Sequence, residues 1–235
     1  MSGERKLAGK LVLPGEPVDD EVQAEKPFVV EEGGVKRATV IGLVREGEGG
    51  KKSFVRLKGV YVPKPGDIVI GLISGVGVMN WFVDINSPYT AVLNVQDFLG
   101  RPYNPAYDDM SLLLRIGDYV KAKVVAFERT RNPLLTVQDK GLGRITGGVV
   151  VEISPTKVPR VIGRKRSMIS MIEEKTGCKL FVAVNGRVHV ECPNRDLEVV
   201  AVMAIKYIER EAHTSGLTER VMRLIEEEKS IREVR

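Results

Sequence analysis

Along the first 140 positions, apolar and polar residues alternate in short stretches broken by Gly and Pro. Thr39-Val40-Ile41-Gly42-Leu43-Val44 and Ser53-Phe54-Val55-Arg56-Leu57 flank Glu46-Gly47-Glu48-Gly49-Gly50, which predicts a hairpin. Pro63 and Pro65-Gly66 then mark a boundary. Strands are expected near Ile68–Ser74, Trp81–Ile85, Ala91–Val95, Tyr119–Phe127 and Leu134–Val137, with a long excursion from Leu99 to Asp118. Five short strands with one long connection suit a five-stranded Greek-key barrel of the OB type. A plain β-sandwich would need more strands.

The pattern changes near residue 143. A strand, Gly148–Ile153, leads into Pro159-Arg160-Val161-Ile162-Gly163, and a helix is expected from Ser167, as N-cap, to Lys175, stopped by Gly177. A hairpin follows: Lys179–Val184, a two-residue turn at Asn185-Gly186, then Arg187–Glu191. A long helix from Asn194 to His213 carries Leu197, Val200, Ala201, Ala204, Ile205 and Ile208 on one face, and Gly216 ends it. Residues 218–234 read as a last, highly charged amphipathic helix. No internal repeat is visible, and the first dozen residues are expected to be disordered. The expected fold is α+β and multidomain: a β domain over 1–63, a barrel over 64–140, and a mixed domain with a C-terminal helix over 141–235.

The 235 residues suffice for two or three small domains with real cores. Mean hydropathy of −0.07 suits a soluble chain. No apolar run approaches the roughly 20 residues of a membrane span, and MSGERKLAGK lacks a signal-peptide core, so a cytoplasmic location is expected. The formal charge is +5, and its distribution is more telling. Val18 to Glu32 holds six acidic residues and one Lys, whereas Lys157 to Ser167 holds five basic residues and no acid. Such segregation suits one face turned to nucleic acid.

Cys178 and Cys192 are the only cysteines. A disulfide is not expected in a cytoplasmic chain. A two-residue turn at 185–186 would also set residue 178 opposite 193, leaving the two thiols diagonal. Three Gln and two Cys beside many Glu, Lys and Arg lean towards a thermophilic source.

Val161-Ile162-Gly163-Arg164-Lys165-Arg166-Ser167, then Ile169, Ile172 and Thr176-Gly177-Cys178-Lys179-Leu180, resemble a type I KH domain over about seventy residues. KH domains clamp single-stranded nucleic acid on a GxxG loop, whose glycines let backbone approach phosphate. Gly163 matches the first glycine, and Arg166 stands in place of the second. The resemblance implies RNA contact by Lys157, Arg160, Gly163, Arg164, Lys165 and Arg166, with charge gripping phosphate. A basic loop of this kind would also suit packing against a protein neighbour.

Gly71-Leu72-Ile73-Ser74-Gly75-Val76-Gly77-Val78-Met79-Asn80-Trp81-Phe82-Val83-Asp84-Ile85, followed by Ala91-Val92-Leu93-Asn94, looks like an S1 domain, the OB variant of many RNA-processing proteins. In that family two aromatics and a histidine line the RNA site. Phe82 matches the second aromatic, Met79 replaces the first, and Asn94 replaces the histidine. With the stacking platform thinned, Lys121, Lys123, Arg129 and Arg131 are expected to carry more of the binding through the backbone. The rival reading of these cations is a solvated strand face. Trp81 is read as a packing residue.

Cys178, His189 and Cys192 lack a CxxC partner and a fourth ligand, so no metal site is expected. Asp108-Asp109 sit beside Asn104 and Pro105, where turn formation explains them. No Walker loop, nucleophile elbow or HExxH is present, so no catalytic residue and no cofactor are expected.

A β domain, an S1 domain and a KH domain in this order resemble the RNA-binding cap subunits of archaeal exosomes. Leu11-Val12-Leu13-Pro14-Gly15-Glu16, Pro65-Gly66-Asp67-Ile68-Val69-Ile70-Gly71, Trp81-Phe82-Val83-Asp84-Ile85, Gly117-Asp118-Tyr119-Val120, Val158-Pro159-Arg160-Val161-Ile162-Gly163 and Asn185-Gly186-Arg187 carry the resemblance. It implies a non-catalytic protein that captures single-stranded RNA and docks, three copies to a ring, on a hexamer of RNase PH-like subunits. There the N-terminal domain sits on the ring and the S1 domains surround the pore. Polynucleotide phosphorylase also carries KH and S1 domains, but in the opposite order and behind two RNase PH-like domains. The other rival is a free-standing S1/KH RNA-binding protein associated with translation or RNA stability.

Overall fold

In the computed structural model, which describes residues 10–19, 21–23, 28–46, 52–57, 59–212, 214 and 216–233, the chain divides into two units, Met1–Gly59 and Val60–Arg235.

In the first unit, β1 (Lys10–Val12) pairs antiparallel with β4 (Gly42–Glu46), and β4 with β5 (Lys52–Arg56). A second hairpin joins β2 (Val29–Glu32) to β3 (Val35–Ala38) through Gly33-Gly34, both at positive φ, as a tight two-residue turn requires. Val12, Val18, Val22, Val29 and Ala38 form its core, with Val44 and Phe54 packed on it. The expected 39–57 hairpin is present as β4 and β5, although its tip, residues 47–51, lies outside the described residues. Disorder was expected through residue 12. Residues 1–9 lie outside the described set, but Lys10–Val12 is a paired strand.

The second unit opens with the barrel. Its strands are β6 (Ile68–Val76), β7 (Asn80–Asp84), β8 (Thr90–Asn94), β9 (Tyr119–Glu128) and β10 (Arg131–Thr136). β9 pairs with both β6 and β10, and β10 runs parallel to β8, so the sheet closes on itself. The parallel pair explains the long excursion between β8 and β9, which carries α1 (Val95–Leu99) and α2 (Met110–Leu113). Alternation fixes the inside. Val120, Ala122 and Val124 of β9 are fully buried, while Lys121 and Lys123 between them point outwards. Trp81 is fully buried against Phe98, as its reading as a packing residue requires. Tyr61 also lies in this core, its hydroxyl donating to Asp67 at 2.7 Å, so the barrel begins ahead of residue 64.

After the short β11 (Gly143–Arg144), the chain forms β12 (Val149–Glu152), α3 (Val158–Ile162), α4 (Ser167–Thr176), β13 (Lys179–Val182), β14 (Arg187–Glu191), α5 (Arg195–Arg210) and α6 (Leu217–Glu233). The order βααββα, with β14 between β12 and β13, is the type I KH arrangement expected. Val200, Ala201, Ala204, Ile205 and Ile208 of α5 are buried against it, and Leu217, Val221 and Ile225 of α6 join the same core. Asn194 caps α5 by accepting from Leu197 N at 2.8 Å. Among the described residues no helix is long and apolar enough to cross a membrane.

Two local expectations are corrected. Ser167 is the first residue of α4 and not its N-cap, since Arg166, at φ 65°, fills that position. Cys178 and Cys192 are joined in a disulfide, with Cα atoms 4.2 Å apart. The register explains the second. Lys179 pairs with Glu191, so 178 falls opposite 192. The chain turns through three residues, Val184-Asn185-Gly186, and not two: Ala183 N donates to Arg187 O, and Gly186 stands at φ 83°. One added turn residue moves every later pairing by one.

That turn also joins barrel to KH module. Pairing of β6 with β7 ends at Leu72–Asp84, which leaves the Ile70 peptide open. The Asn185 side chain, fully buried, fills the place of a strand: Nδ2 donates to Ile70 O (2.8 Å) and Ile85 O (2.9 Å), and Oδ1 accepts from Ile70 N (3.3 Å). Asn86 Nδ2 donates back to Asn185 O at 2.8 Å. Arg187, 2% exposed, pairs with Asp84 of the barrel (2.6 Å) and Glu152 of the KH module (2.8 Å).

Candidate nucleic-acid interface

Three of the expected RNA residues gather at one end of the β7–β8 face. Phe82 and Asn94 lie on the outer surface, with Asn94 paired to Asn80, so the two are diagonal neighbours roughly 7–8 Å apart. Met79 stands in the β6–β7 turn, and its carbonyl accepts from Val95 N at 3.0 Å, which ties the turn to α1. Phe82 is 38% exposed and Met79 46%. Phe82 stands across from Gly75 on β6, where an added Cβ would come 3.3 Å from the ring. The missing side chain at Gly75 leaves room for the ring, and its partial exposure suits a stacked base.

The four expected barrel cations do not join that group. Lys121 Nζ sits 4.7 Å from the Phe181 ring of the KH module, and burial pushes its pKa down while Glu191 pushes it up. Lys123 is paired with Asp139 at 2.9 Å. Arg129, in the β9–β10 turn, and Arg131, which opens β10, are exposed. Since Leu134 faces Val92, Arg131 lies towards the Thr90 end of β8, away from Asn94 and Met79. Sequence gives the outward direction of these side chains but not their partners.

The KH loop is open and basic. Arg164, Lys165 and Arg166 are all exposed. Gly163 stands at φ 74°, ψ 170°, and a Cβ there would meet Met168 N at 2.6 Å, so glycine is required. Lys165 and Arg166 take positive φ of 51° and 65°. The loop therefore keeps a glycine-like path with arginine in the second glycine's place, at a cost of roughly 1–2 kcal/mol per residue. Arg166 has only a 3.9 Å contact with Glu173, and Arg160 donates to Thr214 O at 2.9 Å. Lys157 ends the short 3₁₀ turn ahead of α3 and is half-buried.

The acids and thiols set aside in the sequence are engaged in local contacts. Asp108 accepts from Asn104 N (2.9 Å) and pairs with Arg101, which holds its carboxyl below the usual range. Asp109 caps α2 through Ser111 N at 2.8 Å. Both cysteines are used in the disulfide, and His189 Nε2 lies 2.7 Å from Gly147 O. Two structural features escaped the sequence reading. One is the Asn185–Arg187 junction, which left little signal, because Arg187 opens a strand that alternates polar and apolar residues. The other is Tyr107, an aromatic almost wholly in solvent.

The comparisons agree with this architecture. Residues 148–196 match the family model of the KH domain. The exosome complex component Rrp4 of Aeropyrum pernix is 68% identical over 235 residues, covering 100% of both chains. That of Sulfolobus acidocaldarius is 41% identical over 220 residues, or 92% of this chain and 88% of the relative. A crystal structure described as that of an exosome complex RNA-binding protein superposes with a TM-score of 0.71 at 71% identity, covering 74% of this chain and 99% of that one. With relatives this similar along their whole length, the chain belongs to the Rrp4 family of exosome complex components.

Proposed function

We infer that this chain is the non-catalytic RNA-binding cap of an exosome, which captures single-stranded RNA and guides it into a phosphorolytic 3'-5' exoribonuclease ring. The observation that carries the reading is full-length identity of 68% to an exosome component, joined to two nucleic-acid modules in one unit. In this reading the ring is a hexamer of RNase PH-like subunits with three copies of this chain, and the N-terminal unit docks on it. A pore admitting single strands needs a collar that holds RNA without strong sequence readout. Backbone charge with modest stacking supplies that. Phe82, Met79 and Asn94 offer the stacking surface, while Arg129, Arg131 and the Arg164–Arg166 loop offer charge. The free-standing alternative is not favoured, because the full-length relatives are exosome components.

RNA affinity of the pure protein should fall steeply with salt and depend little on sequence. Each neutralised phosphate adds about 0.7 to the log–log slope for single strands, so these five exposed cations correspond to a slope of about −3.5 if each meets one phosphate. Filter binding across a salt series measures it. A flat response would instead favour base-specific recognition.

A further inference from the structure

We propose that the cleft between β9, β11 and β14, where the barrel meets the KH module, holds one phosphate of single-stranded RNA between Lys121 and the backbone of Thr146-Gly147. This rests on the RNA-binding reading above.

The cleft encloses about 230 Å³. Lys121 and the loop of residues 141–147 form one wall, and His189 and Glu191 form the other. Both walls are fixed. Lys121 pairs with Gly143 across β9 and β11, while His189 lies between Val150 and Phe181 in the KH sheet. His189 Nε2 lies 2.7 Å from Gly147 O, which joins the two walls. Arg187, two residues before His189, ties the KH wall to Asp84 of the barrel. A site held open in this way needs little ordering to bind.

Gly147 carries the argument. The other described glycines have a positive φ or a neighbour within 4 Å of an added Cβ. Gly147 has neither, so the fold itself does not call for glycine there. Bare backbone lining a cleft serves the other use of glycine, close approach to a ligand. Neither Thr146 N nor Gly147 N donates to another described residue. Both residues are exposed, so water serves these amides until a stronger acceptor arrives.

Charge selects the ligand. No Phe, Tyr or Trp lines the cleft, so it offers a base nothing to stack on. Glu191 opposes an anion but is outweighed. Lys179, its cross-strand partner, is exposed, as is Lys140 beside Gly141. Arg144 is already matched by Asp118 at 3.0 Å. Lys121, Lys140 and Lys179 against Glu191 leave the cleft positive. An ammonium with two backbone N–H groups suits the charge-assisted hydrogen bonds of a phosphate. A strand held by both modules crosses the seam between them, and the cleft opens on that seam.

Gly147→Ala should weaken binding of oligouridylate by about tenfold, the lower end of what a hydrogen bond to a charged group is worth. Its melting should be unchanged, because the fold leaves room for the methyl group. Lys121→Gln should lower the log–log salt slope by about 0.7, one phosphate contact, and Lys121→Arg should restore it. Acetylation of Lys121, followed by mass spectrometry, should be slowed by oligouridylate and not by inorganic phosphate at equal ionic strength. Should Lys121→Gln melt early, Gly147→Ala and the protection of Lys121 still decide. If wild type binds RNA while Gly147→Ala binds equally well, or a stably folded Lys121→Gln keeps the full slope, the subsite is overturned and the RNA-binding reading stands. Protection of Lys121 by inorganic phosphate and not by RNA would assign the cleft to a free anion and also overturn it. If the wild type binds no RNA, the reading beneath the proposal fails first.

Discussion

Replacing Asp84 and Glu152 together by alanine is expected to destabilise the barrel–KH unit by about 3–5 kcal/mol, the cost of stripping a buried charge of its partners. Arg187 is 2% exposed, whereas the Asp84 and Glu152 side chains are 44% and 55% exposed. The acids alone lose little when cut. The penalty arises because the guanidinium stays behind in a place water does not reach. It keeps two weaker acceptors, the carbonyls of Ile70 and Asp84. Arg187→Met removes the charge and keeps the bulk, leaving those carbonyls short of a donor, and should cost less, about 1–3 kcal/mol. Denaturant unfolding of the two variants decides the order. A double-acid variant as stable as wild type would show that water reaches Arg187 and that the junction is held by Asn185 alone.

Reduction of the Cys178–Cys192 disulfide should cost the KH module about 3 kcal/mol. The bond closes a span with a sequence separation of 14, and a loop of about that size loses this much chain entropy when cross-linked in the unfolded state. In a unit of this size the loss corresponds to roughly 6–12 °C in melting temperature. The fold itself should persist, because β13 and β14 remain paired and the apolar core around Ile172 and Val190 is untouched. Melting curves with and without reductant measure the shift, and thiol titration of the unreduced protein should find none. Two titratable thiols before reduction, or coincident melting curves, would contradict the bond. Cytosolic chains rarely hold disulfides, but intracellular proteins of hyperthermophiles are the exception.

Much of this architecture was legible because alternation encodes which face of a strand is buried. Val120, Ala122 and Val124 gave β9 its inner face, and the apolar stripe of α5 gave that helix its packing side. The GxxG-like string and the S1-like string placed Gly163 and Phe82 correctly on their elements. Turn length was less legible. Asn-Gly serves two-residue and three-residue turns alike, and the difference of one residue decided whether Cys178 meets Cys192. Pairing of charges was not legible at all. Lys123 and Arg131 look equivalent in sequence, yet one meets Asp139 and the other stands in solvent. Asn185 reads as an ordinary turn residue because its partners, Ile70 and Ile85, are at least 100 positions away.

The most direct test of the central claim is reconstitution. A ring of RNase PH-like subunits is supplied with inorganic phosphate and single-stranded RNA, with and without this chain, and release of nucleoside diphosphates is followed. The chain alone should release nothing. Added to the ring, it should co-elute with it and speed degradation when RNA is scarce, and a chain beginning at Val60 should lose that effect while still binding RNA. Phosphate-dependent release by the chain alone, or a ring whose activity and elution it leaves unchanged, would contradict the assignment.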